Sequence, residues 1–328
     1  MLSSAHMLRG SVLFLGCIAL LSSASARVLP VVKRTNTTCC GYKLVNRDNT
    51  RFRYEHVIDF SSLKSIDEVT KAGWEISDGW QICNANGKTG QVGWASETTV
   101  KLVRGEGLTL TVPGRQSPTA NHFLGAEIVF PYLALGGYWE IEAKLTNVPG
   151  TVFGMYTFHG DPWDKPLGWK DEQAIKVGSS TLMKGNQHVS AGMHMANVHP
   201  DTGATFRADS PFPADPSISF HKYSISWLPQ STCPALDQPS ASTKYRHDGN
   251  LLNLPTGGYS THPSRFILTH YTNGDPTFSA GPPAQDAVIT IKKVRAYFNK
   301  PNKVGNGACP TKGNFDCTVQ LACGVTVS

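Results

Sequence analysis

Beyond one short apolar stretch near its start, the 328-residue sequence has no hydrophobic run long enough to span a bilayer. It has no internal repeat, no low-complexity linker, and no segment with the sustained 3.6-residue periodicity of a long amphipathic helix. A helical membrane protein, a solenoid and a helical bundle are disfavoured together. No C-x-x-C pair occurs, and His188, His194 and His199 fit no standard zinc-ligand spacing, so they read as loop histidines. The sequence therefore nominates no metal and no cofactor.

What is present suits a packed globular domain. Apolar residues make up 40% and aromatics 9%, enough for a real core, while 31 Gly and 21 Pro spread along the chain favour many short strands joined by turns. At the start, Arg9 precedes the apolar run "SVLFLGCIALL" (11–21), and "SSASA" offers small residues before a cut after Ala26. That order predicts a secretory signal peptide over 1–26. The last residues, "LACGVTVS", lack the hydrophobic tail of a lipid-anchor signal. The expectation is a secreted protein, extracellular or in a cell wall, monomeric and without a membrane partner.

The basic balance belongs partly to the leader. The net charge is +6; loss of Arg9 gives +5, and a second cut after the dibasic pair Lys33-Arg34 also removes Arg27 and leaves +2. Nucleic acid is not an expected partner. Without Cys17, seven cysteines remain (39, 40, 83, 233, 309, 317 and 323), and an oxidising compartment predicts up to three disulfides with one odd thiol. Asn36-Thr37-Thr38 is a glycosylation acceptor in an N-terminal arm spanning 27–50. A domain over 51–300 and a Cys-containing tail over 301–328 complete the organisation.

Within the domain, alternating segments bounded by Gly, Pro or Asn read as strands at 56–62, 107–113, 125–130, 137–145, 151–158, 221–229, 264–272 and 287–298. One short helix is expected within 67–74, and long polar loops at 159–170, 199–217 and 230–262. The pattern is that of one all-β sandwich.

The chemistry lies in "DEQAIKV" (171–177), where Glu172, Ala174 and Lys176 share one face of a strand. A retaining glycosidase needs two carboxyl groups about 5 Å apart, one attacking and one protonating the leaving oxygen. Positions i and i+4 of a strand lie about 13 Å apart along the backbone. Two Glu side chains leaning inward from there reach one glycosidic bond. Here the sequence resembles glycoside hydrolase family 16, the laminarinase-type enzymes, and most closely its secreted fungal branch. The resemblance runs from about 39 to 299 and rests on several stretches besides "DEQAIKV". These are "GYWEIEAKL", "TVFGMYTFHGDPW", "HKYSISWLP" and "FILTHYTNGDPTFSAGPPAQDAVITIKKVRAYFN".

The resemblance implies a concanavalin-like β-jelly roll with Glu172 at the nucleophile position of an E-x-D-x-E motif. The assisting aspartate position is then Ala174 and the acid/base position Lys176. An ammonium of ordinary pKa near 10.4 is a poor proton donor to a glycosidic oxygen. Lys176 would instead pair with Glu172 and hold it ionised. Asp161, Asp164 and Asp171 are candidates for a displaced acid, Asp171 only if a bulge turns it to the face of Glu172. Candidate sugar contacts are Tyr156, His159, Trp163, Trp169, His270 and Tyr271; Trp227 reads as core. The expected function is binding of a β-glucan or related wall polysaccharide with hydrolysis lost or strongly weakened. The alternatives are an active retaining β-glucanase with a displaced acid, and a structural or host-facing protein that binds no glycan.

Overall fold

The computed structural model describes residues 51–85, 88–94, 96–117, 122–159, 170–228 and 242–301, with the short strands Cys17–Ile18, Tyr42–Leu44 and Cys323–Val325. Asn36, Lys33-Arg34, Asp161, Trp163, Asp164, Trp169 and most of the cysteines lie outside the described residues.

Two large sheets form a β-sandwich of the concanavalin-like jelly-roll type. In the first, the strands run in the order Gly79–Ala85, Lys88–Trp94, His122–Val129, Arg265–Tyr271, Val152–His159, Asp171–Gly178, Met193–Val198 and Thr205–Ser210. The second runs Asn250–Leu251, Ser242–His247, His221–Leu228, Gly137–Lys144, Ala287–Phe298, Gly107–Val112 and Val100–Val103, and Tyr54–Asp59 pairs with Ala287–Phe298. All pairings within this set are antiparallel except that of Lys88–Trp94 with His122–Val129.

Alternation decides which side chains enter the core. Ile175 and Val177 from the first sheet meet Trp139, Ile141, Tyr223, Ile225 and Trp227 from the second in one buried cluster. Trp139 stacks between Phe266 (5.7 Å, 9° between planes) and Trp227 (6.3 Å, 18°). Such ring pairs add roughly 0.5–1.5 kcal/mol each beyond the area they bury. Trp227 is core, as its mid-strand position predicts.

The eight expected strands are all present, and Ala287–Phe298 matches its expected bounds. The short helix forms at Ile66–Lys71, with Asp67 and Glu68 in its first turn and Lys71 in its last, where they suit the helix dipole. Two of the expected loops need correction. The strand Thr205–Ser210 lies within 199–217, and Ser242–His247 within 230–262. Both sit toward sheet edges with their outward faces polar, so composition alone makes them look like loop.

Outside the sandwich, Tyr42–Leu44 pairs with Arg51–Phe52 and, in parallel, with Cys323–Val325, joining the arm and the tail in one small sheet. Cys17–Ile18, inside the expected leader, adds to the outer edge of Gly79–Ala85. Loss of the leader would remove that edge pair and leave the other ladders intact. Among the described residues no helix is long and apolar enough to cross a membrane.

Candidate functional site

The strand Asp171–Gly178 lies inside the first sheet, flanked by Val152–His159 and Met193–Val198, and every residue of it is buried. Its register is continuous, His159 opposite Asp171 and Phe158 opposite Glu172, with no bulge. Alternation therefore holds: Gln173, Ile175 and Val177 face inward to the second sheet, and Glu172, Ala174 and Lys176 share the outer face.

On that face Glu172 is gripped at both oxygens. Lys176 Nζ lies 2.8 Å from Oε1, and Lys170 Nζ 3.4 Å from Oε2. The side chains of Glu172 and Lys176 are 3% and 8% exposed, so this is a buried pair rather than a solvated one. Burial alone would raise the Glu172 pKa, but the two ammonium groups outweigh it and hold the carboxyl at about 2. Burial would likewise discharge Lys176, yet the Glu172 carboxylate keeps its pKa above the ordinary lysine value. At Lys170 burial prevails, and its pKa falls. Lys170 precedes the strand and lies outside the alternating motif, so the sequence pattern does not single it out.

The depressed pKa fixes an acid-stability prediction. Ionised Glu172 stabilises the fold fully above its ordinary pKa of 4.5, and that contribution is lost as pH falls toward about 2. The shift corresponds to about 3 kcal/mol at 1.36 kcal/mol per unit. Denaturant unfolding at pH 6 and pH 2.5 should show a steeper acid loss in the parent than in Glu172→Gln. Equal slopes would mean that the carboxyl is not held ionised by its neighbours.

Other groups complete the face. Gly154 lies opposite both Lys176 and Thr269, and a Cβ there would sit 2.6 Å from Thr269 Oγ1 and 3.3 Å from the Tyr156 ring. Glycine is thus needed for Tyr156 to lean along the sheet. The Tyr156 hydroxyl lies 3.4 Å from Glu127 Oε2, and Ser77 Oγ donates to Glu127 Oε1 at 2.7 Å. Burial, with the charges of Glu127 and Glu172, pushes the Tyr156 phenol well above its usual range. Tyr271 is half-buried on the same face, its phenol raised by burial and by the Glu172 charge against the opposing Lys176 ammonium. Arg207 stands on the Thr205–Ser210 strand, and Ala196 and Val198 on the strand between.

Several nominated residues are elsewhere. His270 is fully enclosed between the sheets: its Nδ1–H donates to the Leu110 carbonyl, its Nε2 lies 2.8 Å from the Thr151 hydroxyl, and burial lowers its pKa to about 4. It shares strand parity with Phe266 and Leu268, so it faces the core and is not a sugar contact. His159 has the parity of Met155, away from Glu172. Its Nδ1–H donates to the Pro263 carbonyl at 2.6 Å, and its ring stacks on His262. Asp171 is fully buried on the side opposite Glu172. Its Oδ2 accepts the backbone N–H groups of Thr261 and His262 at 2.9 and 3.1 Å and lies 3.1 Å from His262 Nδ1. It pins that loop and does not serve as the displaced acid.

His194 corrects the sequence reading in the other direction. It lies on the Met193–Val198 strand rather than in a loop, directly opposite Lys176. Its Nδ1 is 2.9 Å from Asp209 Oδ1, and its buried Nε2 has no hydrogen-bond partner. His188 and His199 do not join it.

Two further carboxylates of the described residues, Glu127 and Asp209, stand on strands to either side of this one. Glu127 is level with Lys176 and three strands across from the Asp171–Gly178 strand, roughly 14 Å at about 4.8 Å per strand. Asp209 is also level with Lys176, two strands away on the other side. The face offers an ion pair, tyrosines and a cationic side, which can bind hydroxyls and stack rings.

No protein-family model matches the chain, and no curated protein matches it in sequence. Solved structures do match in fold. A β-1,3-1,4-glucanase (lichenase) from a mouse hindgut metagenome superposes with a TM-score of 0.54 at 19% identity, over 74% of this chain and 98% of that one. The Bacillus licheniformis β-glucanase gives 0.54 at 18%, over 75% and 98%. The catalytic domain of an endo-1,3-β-glucanase (laminarinase) from Thermotoga petrophila gives 0.51 at 15%, over 75% and 97%. At these identities the likeness is one of fold, the jelly roll of glucan-active enzymes.

Proposed function

We propose that this chain is a secreted, monomeric β-glucan-binding protein built on a glycoside hydrolase family 16 scaffold, and that it does not hydrolyse the glycan it holds. The observation that carries this reading is the 2.8 Å contact of Lys176 Nζ with Glu172 Oε1, at the place where the family resemblance puts the proton donor. A retaining mechanism asks one group of the pair to attack and the other to give up a proton. An ion pair does neither: the carboxylate is stabilised against attack and the ammonium holds its proton at neutral pH. The fold shared with lichenase and laminarinase structures supports a glucan as the ligand. Tyr156 and Tyr271 supply ring faces beside the ion pair, and the leader-like first 26 residues support secretion.

Titration of the purified protein with laminarin and mixed-linkage glucan, beside a reducing-sugar assay, tests this. Saturable binding without sugar release is expected. Tyr156→Ala and Tyr271→Ala should each weaken binding by about 0.5–1.5 kcal/mol, the range for losing an aromatic contact. Sugar release abolished by Glu172→Gln would overturn the non-hydrolytic reading, and no glucan binding at all would overturn the ligand.

A further inference from the structure

Away from Glu172, on the other sheet, three metal-competent side chains meet at one end of the sandwich. His221 begins the strand His221–Leu228, His247 ends the strand Ser242–His247, and Asp248 opens the turn into Asn250–Leu251. The turn is a two-residue "DG" hairpin with φ of 48° at Asp248 and 80° at Gly249, the left-handed pair that a type I′ turn requires. Cross-strand register sets His247 opposite Tyr223, so both histidines lie on the inner face of their sheet. Their rings stack 5.1 Å apart.

The donor atoms converge. Asp248 Oδ2 lies 2.7 Å from His221 Nδ1 and 3.8 Å from His247 Nε2, and all three atoms fall within 4.8 Å of one another. A second observation is independent of this clustering. The His247 side chain is only 4% exposed, wedged among Phe212, Tyr223 and His221, and its Nε2 has no hydrogen-bond partner. A buried imidazole nitrogen without a partner costs free energy unless something occupies its lone pair.

We propose that His221 Nδ1, His247 Nε2 and Asp248 Oδ2 bind a borderline divalent transition ion, with Zn²⁺ the best match. Two imidazoles and one carboxylate form a known zinc donor set, with a fourth position for water. Bonds of 2.0–2.1 Å in a tetrahedron separate ligand atoms by about 3.4 Å, so the widest gap closes by at most about 1.4 Å. Asp248 and His221 are the more exposed members and can make that movement. The outer contacts also suit a metal. Ser219 Oγ lies 3.0 Å from His221 Nε2, where it accepts the N–H of a ligating ring, and the Lys222 backbone N–H donates to Asp248 Oδ1 at 2.7 Å.

The test is titration of chelator-treated full-length protein with Zn²⁺, read by calorimetry and by thermal unfolding. Co²⁺ absorption spectra and Ca²⁺ titration accompany it. Expected are one equivalent of Zn²⁺, a rise in melting temperature, no comparable Ca²⁺ effect, and Co²⁺ d–d bands without a thiolate charge-transfer band. His221→Gln, His247→Gln and Asp248→Asn should each weaken Zn²⁺ binding by at least about tenfold, since outer contacts alone can be worth that much. His221→Gln keeps the test open if the buried His247 variant fails to fold. Absence of saturable Zn²⁺ binding, a thiolate band, or binding unaffected by His221→Gln and Asp248→Asn would overturn the proposal.

Discussion

Replacing Ala174 by Asp and Lys176 by Glu together should give a protein that releases reducing sugar from β-glucan where its parent does not. Lys176 already reaches Glu172 at 2.8 Å, so side chains four apart on this strand meet over one point. A glutamate at 176 then stands where the family resemblance puts the proton donor. Its pKa rises through the like charge of Glu172, as a general acid near neutral pH requires. The aspartate at 174 lies between them, and Lys170 remains to keep Glu172 ionised. Restoring a positioned acid is worth about 10² to 10⁴ in rate. The control is Glu172→Gln in the same background, which should return activity to zero. A silent double variant that still folds and binds laminarin would mean that the face lacks more than its acid.

Lys176→Met should be among the most destabilising single changes in the domain. It strands a carboxylate whose side chain is 3% exposed, leaving it only the longer contact to Lys170. Breaking a buried pair from one side costs about 3–5 kcal/mol. For a domain of this size that is a fall of roughly 10 °C or more in melting temperature. Glu172→Gln combined with Lys176→Met should recover most of the loss, because removing both charges also removes the cost of burying them. Denaturant melts of the two variants give the answer directly. A Lys176→Met protein within 1 kcal/mol of the parent would show that Lys170 alone suffices and that Lys176 contributes no stability.

The strands legible in the sequence are those with the strongest alternation, which also build the core: Gly137–Lys144, His221–Leu228, Arg265–Tyr271 and Ala287–Phe298. Thr205–Ser210 and Ser242–His247 escaped because they show little hydrophobic periodicity on one strand and a mixed polar composition on the other. His194 reads as a loop residue in the sequence, although its strand, Met193–Val198, is wholly buried. In "MHMANV" the buried outer face is His, Ala and Val, and it blurs the period-2 signal.

The row Glu172, Ala174, Lys176 follows from local sequence alone. A strand alternates with period 2, so three residues two apart must share a face whatever surrounds them. That Glu172 and Lys176 meet as an ion pair is a finding of the structure. Tertiary structure decided which other groups stand near that row. It brings Lys170 to the second oxygen of Glu172, locks Asp171 onto the backbone of Thr261 and His262, and encloses His270 between the sheets. It also joins His221 to Asp248 across 27 residues of chain. Those contacts depend on register between strands distant in sequence, fixed by the packing of both sheets together, and no local pattern encodes them.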